Sequence, residues 1–197
     1  MHRTLVVNAD DLGLTVGIND GIFDTHDRGI LTSASLMANA PATVNAIRRL
    51  RSRPTLGIGV HLTLVDGTPM RPPGRVPTLS RDDGRFYPSW KPFIVACLMG
   101  RVSMEEVEGE LASQIERVID EGIRPTHLHA HKHVHVYPPI FAIVARLAAR
   151  LRIPVVRVPY EGTLADLPLL PWSYQDYRTA TSHGIRAPQF IGRRRPG

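Results

Sequence analysis

Five histidines alternate with other residues in one short segment of the chain. The segment 125–139 has the sequence PTHLHAHKHVHVYPP, and its alternating members are His127, His129, His131, His133 and His135. Wherever the segment is extended, these side chains leave the same face of a strand. Neutral imidazoles can bind a divalent metal ion, whereas burying five of them for stability alone would leave many polar groups to satisfy. The pattern therefore predicts metal binding, with a strand of satisfied polar residues as the alternative.

Two other parts of the sequence carry groups that could complete such a site. Asp10 and Asp11 follow the apolar run 4–8 (TLVVN), which predicts a fully buried strand. Adjacent carboxylates repel each other, so they indicate a cation or a catalytic role, unless one of them caps the following helix. His61 lies in the apolar run 56–64 and is either a core residue or an inward-pointing ligand. One carboxylate with two imidazoles suits zinc or another first-row divalent ion, and the second aspartate could then act as a base.

Strands and helices alternate along the chain, which predicts an α/β fold. The predicted strands cover 4–8, 30–37, 56–64, the histidine-rich segment from Thr126 to about Tyr137, and 154–158. The predicted helices cover 18–28, a segment from Pro41 through Ile47, 90–98, a segment that begins with a capping box at Ser103 and Glu106 and ends at Gly122, and 140–151. In parallel α/β folds the carboxyl ends of strands meet at one rim, so the polar groups above can come together.

The remaining segments have no sustained apolar period. The loop 65–88 is rich in Gly, Pro, Asp and Arg, and a loop of this length in a compact domain predicts a lid or a binding loop. Residues 163–197 contain apolar and aromatic side chains without a repeat, so their structure is left uncertain.

Composition limits the classes of function. The length of 197 residues predicts a single domain, and one cysteine, Cys97, excludes an internal disulfide and a thiolate cluster. No apolar run reaches the length of a signal peptide core or a membrane span, so we expect a soluble, cytoplasmic protein. The net charge is +6, but the basic residues are scattered apart from the clusters 48–53 and 193–195. This distribution argues against nucleic-acid binding and leaves attraction to an anionic membrane surface open.

Several strings together resemble the YdjC-like carbohydrate deacetylase family. They are VVNADDLG, LTSASLM, GVHLTL, THLHAHKHVH and RVPYE, and they span residues 4–161. AHKHVH and RVPYE resemble the hopanoid-biosynthesis-associated branch, HpnK, most closely. The resemblance implies a (β/α) barrel-like fold and divalent-metal-dependent removal of acetyl groups from N-acetylated sugars. Relatives in this family continue further and carry a CHP-type motif that this chain lacks, so we expect a barrel that is incomplete at the C-terminus.

The resemblance also implies roles for individual residues. It makes Asp11, His61 and His131 the ligands of one magnesium or zinc ion, and Asp10 the general base. Further candidates are His129, His133 and His135 as a general acid or as supports of the ligands, and Arg157 and Tyr160 as substrate-binding residues. His129 stands where family members often have aspartate, which changes the surroundings of His131.

The expected substrate is an N-acetylglucosamine-containing glycoconjugate, with a hopanoid glycolipid first and chito-oligosaccharide second. The loop 65–88 and the apolar segment 93–99 could flank an apolar aglycone, although 93–99 could equally be a core helix. Two other functions stay open: an inactive, shortened family member, and a metal-buffering protein that uses the histidines as a chelating tract.

Overall fold

Four parallel strands form the sheet around which the chain is built. The computed structural model describes residues 5–158 and 170–186. The strands are β1 (Asn8–Leu12), β2 (Ser33–Leu36), β3 (Gly57–Leu62) and β4 (Leu128–Ala130). The helices are α1 (Val16–Arg28), α2 (Thr43–Leu50), α3 (Trp90–Leu98), α4 (Met104–Asp120), α5 (Pro138–Arg150) and α6 (Leu170–Ser182), and short 3₁₀ segments cover Pro73–Arg75 and His131–Val136.

Each strand pairs in parallel with the strand that precedes it in the sequence. Parallel neighbours need crossover connections, which α1, α2 and the α3–α4 pair supply in turn. Beyond β4, Val156 forms a parallel bridge with Leu128, and Val155 forms another with Arg186. A parallel sheet whose strand order follows the chain is wound like a (β/α) barrel. The predicted fold class is therefore confirmed, with an open arc of strands over the described residues.

One cluster of buried apolar side chains joins the sheet to the helices. Its fully buried strand residues are Leu12, Leu36, Val60, Leu62 and Leu128. The helices bury stripes at the spacing predicted from the sequence, and in α4 the stripe is Val107, Leu111, Ile115 and Val118. Each of these helices packs on the sheet through one apolar face. This packing holds the ends of the strands in position.

The caps of the helices are partly as predicted. Ser103 Oγ accepts a hydrogen bond from the Glu106 backbone N–H at 3.4 Å and so begins α4. The return bond of a capping box is not formed, because the Glu106 carboxylate accepts hydrogen bonds from the backbone N–H and hydroxyl of Thr78, each at 2.8 Å. Glu106 therefore ties α4 to the loop 65–88 instead.

The first strand begins later than predicted. It covers Asn8–Leu12 and so includes both aspartates, whereas Leu5 and Val6 are 78% and 64% exposed. The prediction of a buried strand over 4–8 is wrong, because the partner strand β2 begins only at Ser33, opposite Asn8. Two other predicted strands are also shorter than expected, because a strand extends only as far as its partner strand. The strand predicted over 30–37 is limited to β2, and the segment 154–158 contributes only two isolated bridges.

The histidine-rich segment is extended over only part of its length. β4 ends at Ala130, opposite the last residue of β3, Leu62. With no partner residue beyond that point, the chain turns into the 3₁₀ segment, in which Lys132 and His133 have φ of +53° and +54°. The prediction that the strand continues to Tyr137 with all five histidines on one face is therefore wrong.

The two ends of the loop 65–88 lie next to each other, and the residues between them are bonded to α4. Val65 pairs with Tyr87 through a parallel bridge. The Glu110 carboxylate, on α4, accepts hydrogen bonds from the backbone N–H groups of Met70 and Arg71 at 2.9 and 3.0 Å. The loop also contributes buried side chains to the core, namely Val76, Leu79 and Phe86. The loop is thus packed against α4 over much of its length.

The tail contains a helix that the sequence pattern did not predict. α6 covers Leu170–Ser182 and buries Asp176 and Ala180. Among the helices in the described ranges, none is long and apolar enough to cross a bilayer.

Candidate metal centre

A bulge in β1 brings two adjacent carboxylates to one cluster of histidines. In a regular strand, neighbouring side chains point to opposite faces. In β1 the register with β2 shifts between Ala9 and Leu12, and Asp11 has φ of +64°. A bulge of this kind re-aims the side chains next to it. Asp10 consequently lies 3.4 Å from His129, and Asp11 lies 3.0 Å from His61.

The pairing of β3 with β4 fixes the histidines of this cluster. His61 and His129 are direct partners in the parallel ladder, and His131 follows β4 immediately. All three rings are buried, at 2%, 0% and 7% exposure. Three of the residues that the sequence singled out therefore meet at the carboxyl ends of neighbouring strands, as the fold class predicts.

Asp11, His61 and His131 present three donor atoms to one point. Asp11 Oδ1 lies 3.0 Å from His61 Nε2 and 3.0 Å from His131 Nδ1, and the two nitrogens are 3.2 Å apart. Separations of this order are typical of ligands that surround one ion at about 2.0–2.2 Å. One carboxylate and two imidazoles also form a donor set that suits a first-row divalent ion. These residues therefore fit a metal ion and could hold it.

The charge on Asp11 favours a cation. Hydrogen bonds from His131 and His61 hold the pKa of the Asp11 carboxyl well below its ordinary value. The group is therefore ionised at any working pH. Its side chain is 34% exposed, so the position between the three donors is reached from solvent on the Asp11 side.

His61 also belongs to a second group of potential ligands. Its Nδ1 lies 3.1 Å from His129 Nε2, and Asp10, His61 and His129 are close enough together to hold an ion. A neutral imidazole has one lone pair, so His61 can serve only one of the two groups at a time. Arg157 Nη1 lies 3.2 Å from Asp10 Oδ2 and already neutralises this carboxylate. Charge therefore favours the group that contains Asp11.

Two side chains donate hydrogen bonds to the Asp10 carboxylate, and a third lies beside it. The Asn8 amide donates a hydrogen bond to Asp10 Oδ1 at 2.9 Å, Arg157 donates one to Oδ2, and the His129 ring lies 3.4 Å from Oδ1. The Asp10 side chain remains 36% exposed, so water can reach it. Arg157, which the sequence suggested for substrate binding, thus contacts Asp10, and its carbonyl accepts a hydrogen bond from His135 Nε2 at 2.8 Å.

Two other histidines of the segment are bonded to groups away from the metal-binding donors. His127 lies within hydrogen-bond distance of Ser35 through Nε2, at 2.8 Å, and of Thr126 through Nδ1, at 2.9 Å. His135 stacks on Phe141 and has no exposed surface. Burial lowers the pKa of His127 to about 4 and that of His135 to about 3. Both rings are therefore neutral at pH 7.

The remaining candidates occupy different surroundings. Burial holds the pKa of His129 well below its ordinary value, so this ring is neutral as well. His133 is half-buried at the turn after β4, and its ring centre lies 6.3 Å from that of His135. Tyr160 lies outside the described residues.

Sequence reasoning missed three polar residues near the centre. Asp66 Oδ2 lies 4.0 Å from His131 Nε2, and Asp66 has φ of +56°. Gln114 accepts a hydrogen bond from the Thr63 N–H and donates one to the Thr63 carbonyl, both at 2.8 Å, beside the buried Glu110. A signal was present for the last two, because Glu110 and Gln114 fall on the apolar stripe of α4, where a polar residue needs a partner.

A cavity in the described part of the chain lies away from this cluster. A space of about 600 Å³ lies over the loop 65–88, and its lining includes Thr78, Arg81, Tyr87 and Arg101. None of the candidate ligands lines it. The candidate metal site is therefore identified by the positions of its donor atoms and not by a cavity.

The chain belongs to the YdjC-like family. The model of that family, described as YdjC-like protein, matches residues 4–195. The family predicted from the motifs is therefore confirmed.

Curated relatives of the chain include carbohydrate deacetylases. The chain is 41% identical over 155 residues to that of Geobacillus stearothermophilus, which corresponds to 79% of this chain and 60% of the relative. It is 40% identical over 156 residues to that of Brevibacillus brevis, covering 79% of this chain and 59% of the relative. The chain thus spans about three fifths of the length of these relatives.

Solved structures support the fold. A crystal structure from Enterococcus faecalis, of a protein provisionally described as acting in cellobiose-phosphate cleavage, is 29% identical with a TM-score of 0.77. The match covers 93% of this chain and 66% of that one. The lactam utilization protein of Thermus thermophilus is 17% identical with a TM-score of 0.52, over 94% of this chain and 65% of that protein, and shares the fold alone.

Proposed function

We propose that the chain carries the metal centre of a carbohydrate N-deacetylase. The reaction is hydrolysis of the amide that joins an acetyl group to the nitrogen of a glucosamine unit. The observation that carries the proposal is the triangle of donor atoms from Asp11, His61 and His131 at neighbouring strand ends. The names of relatives at 40–41% identity support the reaction class.

Asp11, His61 and His131 are the proposed ligands of one divalent ion. When bound, the ion supplies Lewis-acid polarisation of the amide carbonyl and lowers the pKa of water at the site. Two of the three donors are imidazole nitrogens, which suit zinc, whereas magnesium prefers oxygen ligands. Of the two ions suggested by the sequence, the donor set thus favours zinc.

Asp10 is the proposed general base. Its carboxylate is adjacent in sequence to a ligand, is accessible to water, and is fixed in orientation by hydrogen bonds from Asn8 and Arg157. A general base must reach the proton of the attacking water within hydrogen-bond distance, and fixed orientation favours such contact. Arg157 is then a residue that positions Asp10, with any contact to the sugar as an additional role.

The amine that leaves needs a proton, and three histidines were candidates to supply it. His135 and His129 are fully buried and neutral, so they are better suited to supporting roles. His135 donates a hydrogen bond to the Arg157 carbonyl, and His129 contacts His61. We assign the acid role to His133, the partly exposed member of the three.

The proposed substrate is an N-acetylglucosaminyl glycolipid, and the surface of α3 supports an apolar aglycone. Phe93, Ala96 and Cys97 are buried, but the other face of the helix is exposed and apolar. Its members are Trp90, Val95, Leu98 and Met99. α3 itself lies against the 3₁₀ segment that follows β4 and begins with His131. The motifs AHKHVH and RVPYE, which resemble the hopanoid-associated branch, favour the same substrate. In this proposal the exposed apolar face of α3 contacts a membrane surface.

Acetate release tests the activity and the substrate together. The zinc-loaded chain is offered chitobiose and an N-acetylglucosaminyl lipid in separate and competing assays, before and after removal of metal by a chelator. We expect acetate from both, a higher kcat/KM for the lipid, and loss of both activities without metal. A higher kcat/KM for chitobiose would reject the lipid and keep the deacetylase. No acetate from either would reject the activity for this chain and favour an inactive family member.

The chelating tract is the less supported alternative. It requires several free imidazoles and no role for His61 or Asp11. His127 and His135 are instead bonded to Ser35 and to the Arg157 carbonyl. Several weakly bound ions per chain, with no single tightly held one, would favour the chelating tract.

A further inference from the structure

The Asp66 carboxylate lies near the ring nitrogen of His131 that faces away from the proposed metal site. His131 faces Asp11 and His61 through Nδ1, and its opposite ring nitrogen, Nε2, lies 4.0 Å from Asp66 Oδ2. Among the described residues, no other side-chain contact of the Asp66 carboxylate is recorded. Asp66 therefore faces His131, and its side chain is 58% exposed.

The backbone of Asp66 is held in a conformation that L-residues seldom adopt. Its φ is +56°, in the left-handed region that costs free energy for any residue except glycine. Two backbone hydrogen bonds hold this conformation in place. The Asp66 N–H donates to the Tyr87 carbonyl at 2.9 Å, and the Phe86 N–H donates to the Gly67 carbonyl at 3.0 Å. Strain that surrounding structure imposes at a site is frequently associated with function.

α4 fixes both flanks of the same segment. Gln114 makes two hydrogen bonds with the backbone of Thr63, three residues before Asp66. The Glu110 carboxylate accepts hydrogen bonds from the backbone N–H groups of Met70 and Arg71, which lie four and five residues after Asp66. Glu110 and Gln114 are fully buried and bonded to each other at 2.8 Å. The position of the Asp66 backbone beside His131 is thus determined by the fold.

We propose that Asp66 is a positioning residue for His131. A metal-binding imidazole needs its lone pair on the nitrogen that faces the ion, so the proton must stay on the other nitrogen. The Asp66 carboxylate stabilises that proton on Nε2, through a small movement of its side chain or through one bridging water across the 4.0 Å separation. The inference rests on the metal centre of the proposed function and adds a residue to it.

Asp66→Gly separates this role from a structural one. Glycine adopts the left-handed backbone freely, so the variant should fold with a Tm equal to or above that of the full wild-type chain. We expect its affinity for Zn²⁺, measured by competition with a chelator on the metal-free protein, to fall about 10- to 100-fold. Asp66→Asn, which keeps an acceptor oxygen, should lose less. Asp82→Asn is the matched control, because it removes an exposed aspartate from the same loop and should bind Zn²⁺ as the wild type does.

NMR of the His131 ring gives a second readout that loop stability does not affect. In the Zn²⁺-loaded wild type, the Nε2–H proton of His131 should exchange slowly with water, and Asp66→Gly should speed that exchange. Unchanged Zn²⁺ affinity and an unchanged exchange rate of the Nε2–H proton in Asp66→Gly would overturn the role of Asp66 and leave the metal centre in place. An equal loss in Asp82→Asn would overturn it too, by assigning the effect to loop charge. Failure of the wild type to bind Zn²⁺ would reject the metal centre itself, and Asp66's role with it.

Discussion

Nδ1 of His61 lies 3.1 Å from Nε2 of His129, on the side of the ring opposite the nitrogen that faces Asp11. If His61 binds a metal through Nε2, its proton must be on Nδ1, and His129 is the acceptor in position to keep it there. The partner strands β3 and β4 thus connect a proposed ligand to a ring that also touches Asp10.

Replacing His129 should therefore weaken metal binding without removing a ligand. His129→Phe fills the same buried space but cannot accept the proton of His61, so we expect Zn²⁺ affinity to fall about 10- to 100-fold. His129→Gln restores an acceptor and should recover part of the loss. Affinity is measured by chelator competition, with Tm as the check on folding. Wild-type affinity in His129→Phe would mean that another group orients His61.

Asp10→Asn tests the separation of base from ligand. The amide keeps the shape of the side chain but cannot take up a proton, so metal content and Tm should be unchanged while kcat for acetate release falls about 10²- to 10⁴-fold. Metal analysis and the acetate assay are made on one preparation. Loss of metal in Asp10→Asn, together with retention in Asp11→Asn, would show that the roles of the two aspartates are interchanged.

Glu110→Gln should loosen the segment that carries Asp66. The carboxylate accepts two backbone N–H groups and one amide N–H in a fully buried position. A glutamine has only one acceptor oxygen, so one buried N–H is left unpaired, and unfolding free energy should fall by about 1–3 kcal/mol. Glu108→Gln is the control on the same helix, because its exposed pair with Arg146 should contribute less than about 1 kcal/mol. Equal urea midpoints for Glu110→Gln and the wild type would contradict the expectation.

Asp176 gives the stability of the chain a pH dependence. Burial raises its pKa to about 8, and neither carboxyl oxygen has a hydrogen-bond partner among the described residues. The folded state therefore binds a proton more tightly than the unfolded state, so this contribution to stability is complete below the unfolded pKa of about 4 and is lost as pH rises toward 8. Asp176→Asn should reduce the fall in Tm between pH 5 and pH 9. A fall of the same size in wild type and variant would contradict a raised pKa.

The helices could be predicted from the sequence because apolar periodicity directly reports the face that is buried. α3 has the bounds expected from its apolar residues, and α5 buries the predicted stripe. α6 was missed because its segment lacks such a period. Strand ends were less predictable, since they depend on the length of the partner: β1 is displaced toward Asp11 because β2 begins opposite Asn8.

The candidate site was predictable where strand ends determine it. Asp10, Asp11, His61 and His131 come together because parallel strands converge at one rim, although their roles stay predictions. His135 could not be placed by its spacing, because the chain leaves the sheet after Ala130, and Asp66 could not be found because its backbone turn depends on Tyr87.

The central claim is that Asp11, His61 and His131 together hold one divalent ion, and metal analysis of His61→Ala tests it most directly. The chain is loaded with zinc, freed of weakly bound metal by dialysis, and its zinc content is measured per folded chain beside the wild type. The account predicts one ion per wild-type chain and nearly none in a folded His61→Ala. One tightly held ion in His61→Ala, as in the wild type, would contradict it.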